Sequence, residues 1–207
     1  MRRFLLFLLF PLLLGACAAD SVWAPQEQVR AAAYRAEGPP SITLFTAVNN
    51  RSGAGGHSAL MINASQRVIF DPAGTWWHRT VPERHDVLYG ITPTMLKFYI
   101  DYHARETYRV VAQTVEVSPQ VAELALARVQ QNGAVPSALC GNAVSGVLQD
   151  IPGFESIRGS LFPGRIMDSF GELPGVVTRV YRDDDSNEND QLLIRQQSVS
   201  IAAQPSQ

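Results

Sequence analysis

A thiol and an imidazole in this sequence have the local surroundings of a nucleophile and its base. Cys140 falls in the first turn of a helix predicted over 138–149, where unpaired amide N–H groups and the positive end of the helix dipole stabilise a thiolate. His57 follows a glycine-rich turn and begins a predicted strand, and Asp71 ends the next strand. Because a carboxylate can hold the imidazole tautomer, the three residue types suit nucleophilic attack on a carbonyl carbon.

Each of these residues also has a simpler structural explanation. A free cysteine is among the most frequently buried side chains, and a histidine at the start of a strand is often an ordinary hydrogen-bonded polar residue. Asp71 precedes Pro72, and an aspartate before a proline commonly forms a turn. Residue type and spacing therefore leave both a structural and a catalytic role open for Cys140, His57 and Asp71.

The N-terminus predicts that the protein is exported. Basic residues precede an apolar run over 4–14, which is too short to cross a bilayer core of about 30 Å and is typical of a cleavable signal. The sequence Leu14-Gly15-Ala16-Cys17 resembles the lipobox of bacterial lipoproteins. That resemblance implies a lipid on Cys17, and Ala18 after it implies sorting to the outer membrane, facing the periplasm. A plain secretory signal with an incidental cysteine is the alternative.

Lipidation of Cys17 would leave Cys140 as a single thiol in an oxidising compartment. Exported thiols are normally paired or oxidised, so a lone one needs an explanation. A diacyl anchor would attach the chain to a membrane without a spanning segment. The membrane is therefore the first expected partner.

The composition fits one soluble domain with tails. The chain has 207 residues, of which 46% are hydrophobic and 17% charged, a content typical of a folded chain. Its 17 lysines and arginines are scattered and its net charge is −2, whereas proteins that bind nucleic acid cluster their basic side chains. We therefore expect no nucleic acid partner.

Four segments are predicted along the chain. Residues 1–16 form the signal, and 17–40, rich in Ala, Gln and Pro, form a lipidated tether. Residues 41–182 form one domain, and 183–207 form an acidic, then Gln- and Ser-rich, disordered tail. Strands and helices alternate irregularly in the domain, which predicts the α+β class.

Periodicity and capping residues place the expected elements. The strands are expected at 42–48, 57–62, 66–70, 87–89, 107–117 and 176–181. The helices are expected at 93–103, 119–131, 138–149 and 165–170. The second and third strands would form a hairpin that brings Asp71 towards His57.

The order His57, Asp71, Cys140 on strand, strand and helix start resembles a known superfamily. The segments 55–62, 68–71 and 140–148 resemble the circularly permuted NlpC-type papain-like hydrolases, which include lecithin–retinol acyltransferase. The resemblance covers about residues 42–150. It implies an antiparallel sheet with helices packed on it, in the permuted papain-like arrangement. It also implies that Cys140 is the nucleophile, His57 the base and Asp71 the orienting group.

The resemblance implies acyl transfer without a cofactor. The expected substrates are amide bonds in cell-wall peptides or a related lipid acyl substrate. The alternative is a non-catalytic outer-membrane lipoprotein that uses the same fold to bind a wall fragment or a partner protein. Trp76 and Trp77 are candidate walls of a substrate cleft, although adjacent residues on a strand point to opposite faces and one would then pack in the core.

The remaining histidines do not predict a metal site. His57, Asp71, His78 and His85 could be grouped as ligands, but the sequence has neither a His-Glu-x-x-His helix nor a Cys-x-x-Cys pair. His103 falls at the end of a predicted helix, where its expected role is to stabilise that end. The glycine-rich segment 52–56 lacks the Gly-Lys-Ser/Thr of a phosphate-binding loop.

Overall fold

A computed structural model of the protein describes residues 22–198. The expected export signal and the lipidation site Cys17 lie outside the described residues. The helices are α1 (Gln26–Ala32), α2 (Pro93–His103), α3 (Pro119–Gln131), α4 (Cys140–Gln149), α5 (Pro163–Gly171) and α6 (Asn189–Ser198). The strands are β1 (Ser41–Asn49), β2 (Gly55–Asn63), β3 (Arg67–Phe70), β4 (Glu83–Arg84), β5 (Val87–Tyr89), β6 (Tyr108–Glu116) and β7 (Val177–Tyr181).

The seven strands form one sheet in the order β4-β5-β3-β2-β1-β6-β7. Every pair of neighbouring strands is antiparallel, and helices pack on both faces. The α+β class and the antiparallel sheet are therefore confirmed. None of the helices between residues 22 and 198 combines the length and apolar character needed to cross a bilayer.

Two hydrophobic cores lie on opposite faces of the sheet. Side chains alternate along each strand, so Ile42 and Leu44 of β1 face the first core, whereas Phe45 faces the second. Helices α3, α4 and α5 contribute to the first core. Helices α2 and α6 contribute to the second. Burial on both faces explains why β1 is a nearly continuous apolar run.

Capping residues determine where two of the helices begin. Thr92 and Ser118 accept hydrogen bonds from backbone N–H groups in the first turns of α2 and α3, and a proline follows each of them. Proline suits the first helical position because its missing N–H is not needed there. Both helices begin and end at the predicted residues.

Helix α4 begins two residues later than predicted. Ala138 has φ +67°, a left-handed conformation that an L-residue seldom adopts and that cannot belong to a right-handed helix. The first helical residue is therefore Cys140 itself. No side chain between residues 22 and 198 caps this helix end through a hydrogen bond.

The part of the expected tether that the structure describes, residues 22–40, packs against the domain. Helix α1 buries Val29 in the first core, and the backbone N–H of Ala24 donates to the carbonyl of Glu83. The guanidinium of Arg84 lies 4.5 Å from the ring centroid of Trp23. Apolar residues in an Ala- and Gln-rich segment therefore dock it onto the edge of the sheet.

The expected disordered tail is wrong for residues 189–198. Leu192, Leu193 and Gln196 share one face of α6 and are buried, and Gln196 Oε1 accepts a 3.1 Å hydrogen bond from Trp76 Nε1. The acidic composition of this segment did not predict its short apolar face. The packed domain consequently extends beyond the predicted boundaries of 41 and 182.

Candidate active site

The structure brings Cys140, His57 and Asp71 together. His57 Nε2 donates to Asp71 Oδ1 over 2.6 Å, and the His57 side chain forms a hydrogen bond with the thiol of Cys140. Because Asp71 occupies Nε2, Nδ1 is the ring nitrogen that remains for the sulfur. The three residues therefore form one chain of contacts from carboxylate to imidazole to thiol.

A gap in the sheet positions the thiol. Strand β3 ends at Phe70 opposite Leu60, so residues 55–59 of β2 pair with β1 alone among the described strands. The start of α4 lies at this unpaired stretch, and the backbone N–H of Ser58 donates to the sulfur of Cys140. The missing strand partner thus leaves a backbone donor for the thiol of Cys140.

Cys140 and His57 come from different faces of the sheet. Helix α4 packs in the first core, and Cys140 is its first residue. The ring of His57 stacks on that of His103 of α2, which lies over the second core. The two groups meet at the start of β2, where a Cβ added to Gly55 would lie 2.5 Å from the backbone nitrogen of Gly164. Glycine is required for that close approach.

Asp71 is held in place from several directions. Its Oδ1 also accepts a 2.9 Å hydrogen bond from the hydroxyl of Tyr99. Its Oδ2 is buried without a hydrogen-bond partner among the described residues. A Cβ added to Gly74 would lie 1.9 Å from Oδ2, so the carboxylate occupies the space that a side chain at position 74 would fill.

The environment of His57 favours its charged form. Burial alone would lower the pKa of the imidazole. The charge and hydrogen bond of Asp71, with a smaller contribution from Cys140, outweigh burial and raise the pKa of His57 to about 10. The same contacts with His57 hold the pKa of Asp71 below its usual range despite its burial. The pair is therefore an imidazolium and a carboxylate at neutral pH.

The environment of Cys140 favours the thiolate. Burial would raise the pKa of the thiol, but the hydrogen bond and charge of His57, together with the backbone N–H of Ser58, lower it below its usual value. The start of α4 adds the positive end of a helix dipole. The arrangement can hold a thiolate beside an imidazolium, which is the reactive form of a cysteine nucleophile.

An open cavity of about 380 Å³ adjoins His57. Most of its lining side chains are small or uncharged, and they come from residues 47–108 and from the residues at and just before the start of α6. The polar residues that line it include Thr75, Tyr102, Tyr108, Asn187 and Asn189. Arg105 also contributes, but its guanidinium is ion-paired with Asp101 and Asp185.

Two residues of the site were missed in the sequence. Tyr99 was not singled out, and His103 was expected only to stabilise the end of α2. The ring of His103 instead stacks on that of His57, with centroids 5.6 Å apart and planes 8° from parallel. Tyr99 and His103 lie four residues apart and therefore on one helix face. The four-residue spacing indicates that Tyr99 and His103 share a helix face, but the sequence does not predict which residues that face contacts.

The tryptophans and the other histidines lie elsewhere. Trp76 is buried in the second core and Trp77 is 52% exposed, and neither lines the cavity beside His57. His78 is buried and bonded to Thr80 and to the carbonyl of Gln196. The ring of His85 lies against Trp23.

Between residues 22 and 198, one group of side chains has the spacing of a metal site. It consists of His57, Asp71 and His103, whose candidate ligand atoms all lie within 4.8 Å of one another. The 2.6 Å separation of His57 Nε2 and Asp71 Oδ1 is that of a hydrogen bond. Two ligands that bind one zinc ion at about 2.1 Å each lie about 3.4 Å apart in tetrahedral geometry. These two atoms would have to separate before an ion could bind between them.

Comparison of the chain with protein-family models, with curated proteins and with solved structures found no match.

Proposed function

We propose that this chain is an exported, lipid-anchored cysteine hydrolase of the amidase or peptidase type. The observation that carries the proposal is the contact of Cys140 with His57, whose far nitrogen is held by Asp71. The export signal and Cys17 support an outer-membrane anchor that faces the periplasm. The order of the three residues supports a relationship to the permuted papain-like hydrolases.

The proposed reaction begins with a thiolate. Cys140 Sγ attacks the carbonyl carbon of the substrate, and the carbonyl electrons move to its oxygen. The first backbone N–H groups of α4 have no partner within the helix, so the N–H of Cys140 is placed to stabilise this oxyanion. His57 gives its proton to the leaving nitrogen, the C–N bond breaks, and a thioester on Cys140 remains.

Water completes the cycle. His57, now neutral, takes a proton from a water molecule while the water oxygen attacks the thioester carbon. Collapse of the second tetrahedral intermediate breaks the C–S bond and releases the acid. The thiolate and the imidazolium are thereby restored. Asp71 keeps the imidazole in one orientation throughout, which is the role of a carboxylate in a catalytic triad.

The cavity beside His57 supports a polar leaving group. The proton donor must face the departing atom, and His57 lines this cavity. Its hydroxyl and amide groups suit a hydrogen-bonding amine such as one released from a peptide. A membrane-anchored enzyme of this type would meet cell-wall peptides first, with a lipid acyl substrate as the second class.

The first experiment measures the reactivity of Cys140. In the chain from residue 17 onwards with Cys17→Ser, Cys140 is the one remaining thiol, and its alkylation by iodoacetamide can be followed by mass across pH. We expect labelling well below pH 8. His57→Ala should move labelling to the range of an ordinary thiol near pH 8.5, whereas His85→Ala, a histidine outside the site, should not.

The alternative gives a different result. A non-catalytic binding protein would label only in denaturant, or at a rate that does not depend on His57. A second measurement addresses the chemistry itself: incubation with cell-wall peptide fragments should give a mass increase on Cys140 that hydroxylamine removes. The same experiment with a lipid acyl ester distinguishes the two substrate classes.

A further inference from the structure

The C-terminal half of α2 contacts both members of the His57–Asp71 pair. Tyr99 donates to the same carboxylate oxygen that His57 contacts, and His103, one turn later, stacks on the ring of His57. The two residues are themselves joined, because His103 Nδ1 donates to the backbone carbonyl of Tyr99 over 2.8 Å. One helix turn thus holds the carboxylate and the imidazole together.

Tyr99 has little freedom to move away from Asp71. Its side chain is 1% exposed. Its ring lies between those of Phe45 and Trp76, at centroid distances of 5.7 and 5.5 Å. Burial and the negative charge of Asp71 raise the pKa of the Tyr99 hydroxyl well above its usual value, so the hydroxyl remains a donor at any pH at which the protein works.

His103 is uncharged, and its ring covers the ion pair of His57 and Asp71. Burial lowers the pKa of His103, although the charge of Asp71 opposes this effect. The imidazolium of His57 further disfavours a second positive charge. His103 also lines the open cavity, which places its ring where solvent would otherwise approach the pair. A positively charged side chain at position 103 would compete with His57 for the carboxylate of Asp71.

We propose that Tyr99 and His103 act together as positioning residues, in which Tyr99 orients Asp71 and His103 holds and shields the ring of His57. This inference rests on the proposed function. Neither residue is assigned contact with the substrate or with a reacting atom. Both act through His57, which must keep Nε2 on Asp71 and Nδ1 on the thiol.

The ionisable groups around the His57–Asp71 pair come from several elements. His57 faces Asp71 after β3, Cys140 at the start of α4 and His103 on α2. Asp71 faces Tyr99 on α2 and is within electrostatic range of Glu83 and Asp86. The charges of Glu83 and Asp86 are unchanged by substitution of Tyr99 or His103, so a shift in the pH profile of Cys140 reports on the positioning residues.

The test compares isosteric and truncating variants in the Cys17→Ser chain. Tyr99→Phe removes the hydroxyl and keeps the ring. His103→Phe keeps a stacked ring, whereas His103→Ala removes it. We expect Tyr99→Phe and His103→Ala to move the midpoint of the pH profile of Cys140 alkylation up by about one pH unit, which is about a tenfold fall in rate at pH values below both midpoints. His103→Phe should retain most of the reactivity.

A matched control separates positioning from general loosening of the core. Tyr89→Phe removes the hydroxyl of another buried tyrosine, which packs in the first core and accepts a hydrogen bond from Gln130, so it should leave the pH profile unchanged. Folded variants whose profiles superimpose on that of the parent would overturn the proposal, provided that His57→Ala still shifts it. If His57→Ala has no effect, the proposed function fails instead.

A spectroscopic measurement tests the same inference without reactivity. In the Cys140→Ala chain, the proton between His57 and Asp71 should give a resolved downfield proton resonance, because a 2.6 Å charge-assisted hydrogen bond is short. Tyr99→Phe and His103→Ala should broaden this resonance or shift it upfield. An unchanged resonance in both variants would show that α2 does not position the pair.

Discussion

The two faces of the sheet are built from different kinds of side chain. The first core, under α3, α4 and α5, brings together aliphatic and aromatic residues such as Leu148 and Phe170. On the second face, α2 and α6 cover polar groups as well, and Asp71, His78 and Gln196 are all buried there. The first face buries a hydroxyl on α4, that of Ser145, whereas the second buries a carboxylate, an imidazole and an amide.

The apolar face mainly stabilises the fold, whereas the polar face holds the groups that could take part in chemistry. An apolar core stabilises in proportion to the surface it buries and tolerates modest changes of shape. A buried polar network is stable only when its members are paired, and it can therefore hold an ion pair in one geometry. Cys140 belongs to a helix on the apolar face, whereas His57 and Asp71 belong to the network of the polar face, so packing anchors the thiol and the network lowers its pKa.

Truncation in the first core should have the largest effect on stability. Phe170→Ala removes a fully buried ring that contacts Phe154, and we expect the free energy of unfolding to fall by about 3–5 kcal/mol. Phe162→Ala, at a position that is 62% exposed, is the matched control and should cost much less. Urea unfolding measures both. If the comparison between the faces is right, the pH profile of Cys140 in folded Phe170→Ala equals that of the parent.

Gln196, a polar residue of the second face, should stabilise the fold through its hydrogen bonds. Gln196 accepts from Trp76 Nε1 and donates to the carbonyl of Phe98 and to Asp101. Gln196→Ala leaves the buried indole N–H unpaired, which should lower the free energy of unfolding by about 1–3 kcal/mol. Ile194→Ala, 71% exposed on the same helix, should change it little. Equal effects of the two substitutions would mean that α6 is not part of the fold in solution.

Much of the fold could be predicted because its signals are local. A cap residue followed by proline marks the start of α2 and α3, and alternating apolar residues mark the strands. The start of α4 was missed because the left-handed conformation of Ala138 has no sequence signature. Helix α6 was missed because its buried face contains few apolar residues within an acidic segment.

The candidate site could be predicted only in part. Cys140, His57 and Asp71 were named from residue type and order, since a thiol at a helix start and a histidine after glycines have local meaning. Tyr99 and His103 were not, because their contacts depend on how α2 crosses the sheet. That crossing is set by long-range packing and not by the helix's own sequence.

A single methyl group should disturb the polar network without enlarging a cavity. Gly74→Ala would place a Cβ 1.9 Å from Asp71 Oδ2, so the carboxylate must move and its hold on His57 weakens. We expect the midpoint of the pH profile of Cys140 alkylation to rise by about one pH unit. Gly146→Ala is the matched control, because a Cβ there meets nothing within 4 Å, and it should stabilise α4 slightly. A normal profile in Gly74→Ala would contradict the role of Asp71.

The smallest predicted effect is on the pH dependence of stability, and it comes from proton counting. The pKa of His57 is raised from 6.5 to about 10, so its stabilising contribution is complete below pH 6.5 and is lost as the pH rises towards 10. The pKa of Cys140 is lowered from 9.0, so its contribution is complete above pH 9 and is lost as the pH falls through the folded value. At pH values above both 6.5 and the folded pKa of Cys140, and below about 9, the folded pair and the unfolded pair then bind the same number of protons, and stability should be nearly flat.

Removing the thiol should reveal the contribution of His57 to the pH dependence of the free energy of unfolding. In Cys140→Ala, the folded chain keeps a proton on His57 that the unfolded chain releases above pH 6.5, since Asp71 remains to hold it. The free energy of unfolding should then fall as the pH rises, by at most about 1.4 kcal/mol per pH unit. Urea unfolding of the two chains at several pH values measures the difference. Parallel curves would mean that the imidazole is neutral in the folded protein, and the thiolate–imidazolium pair would have to be abandoned.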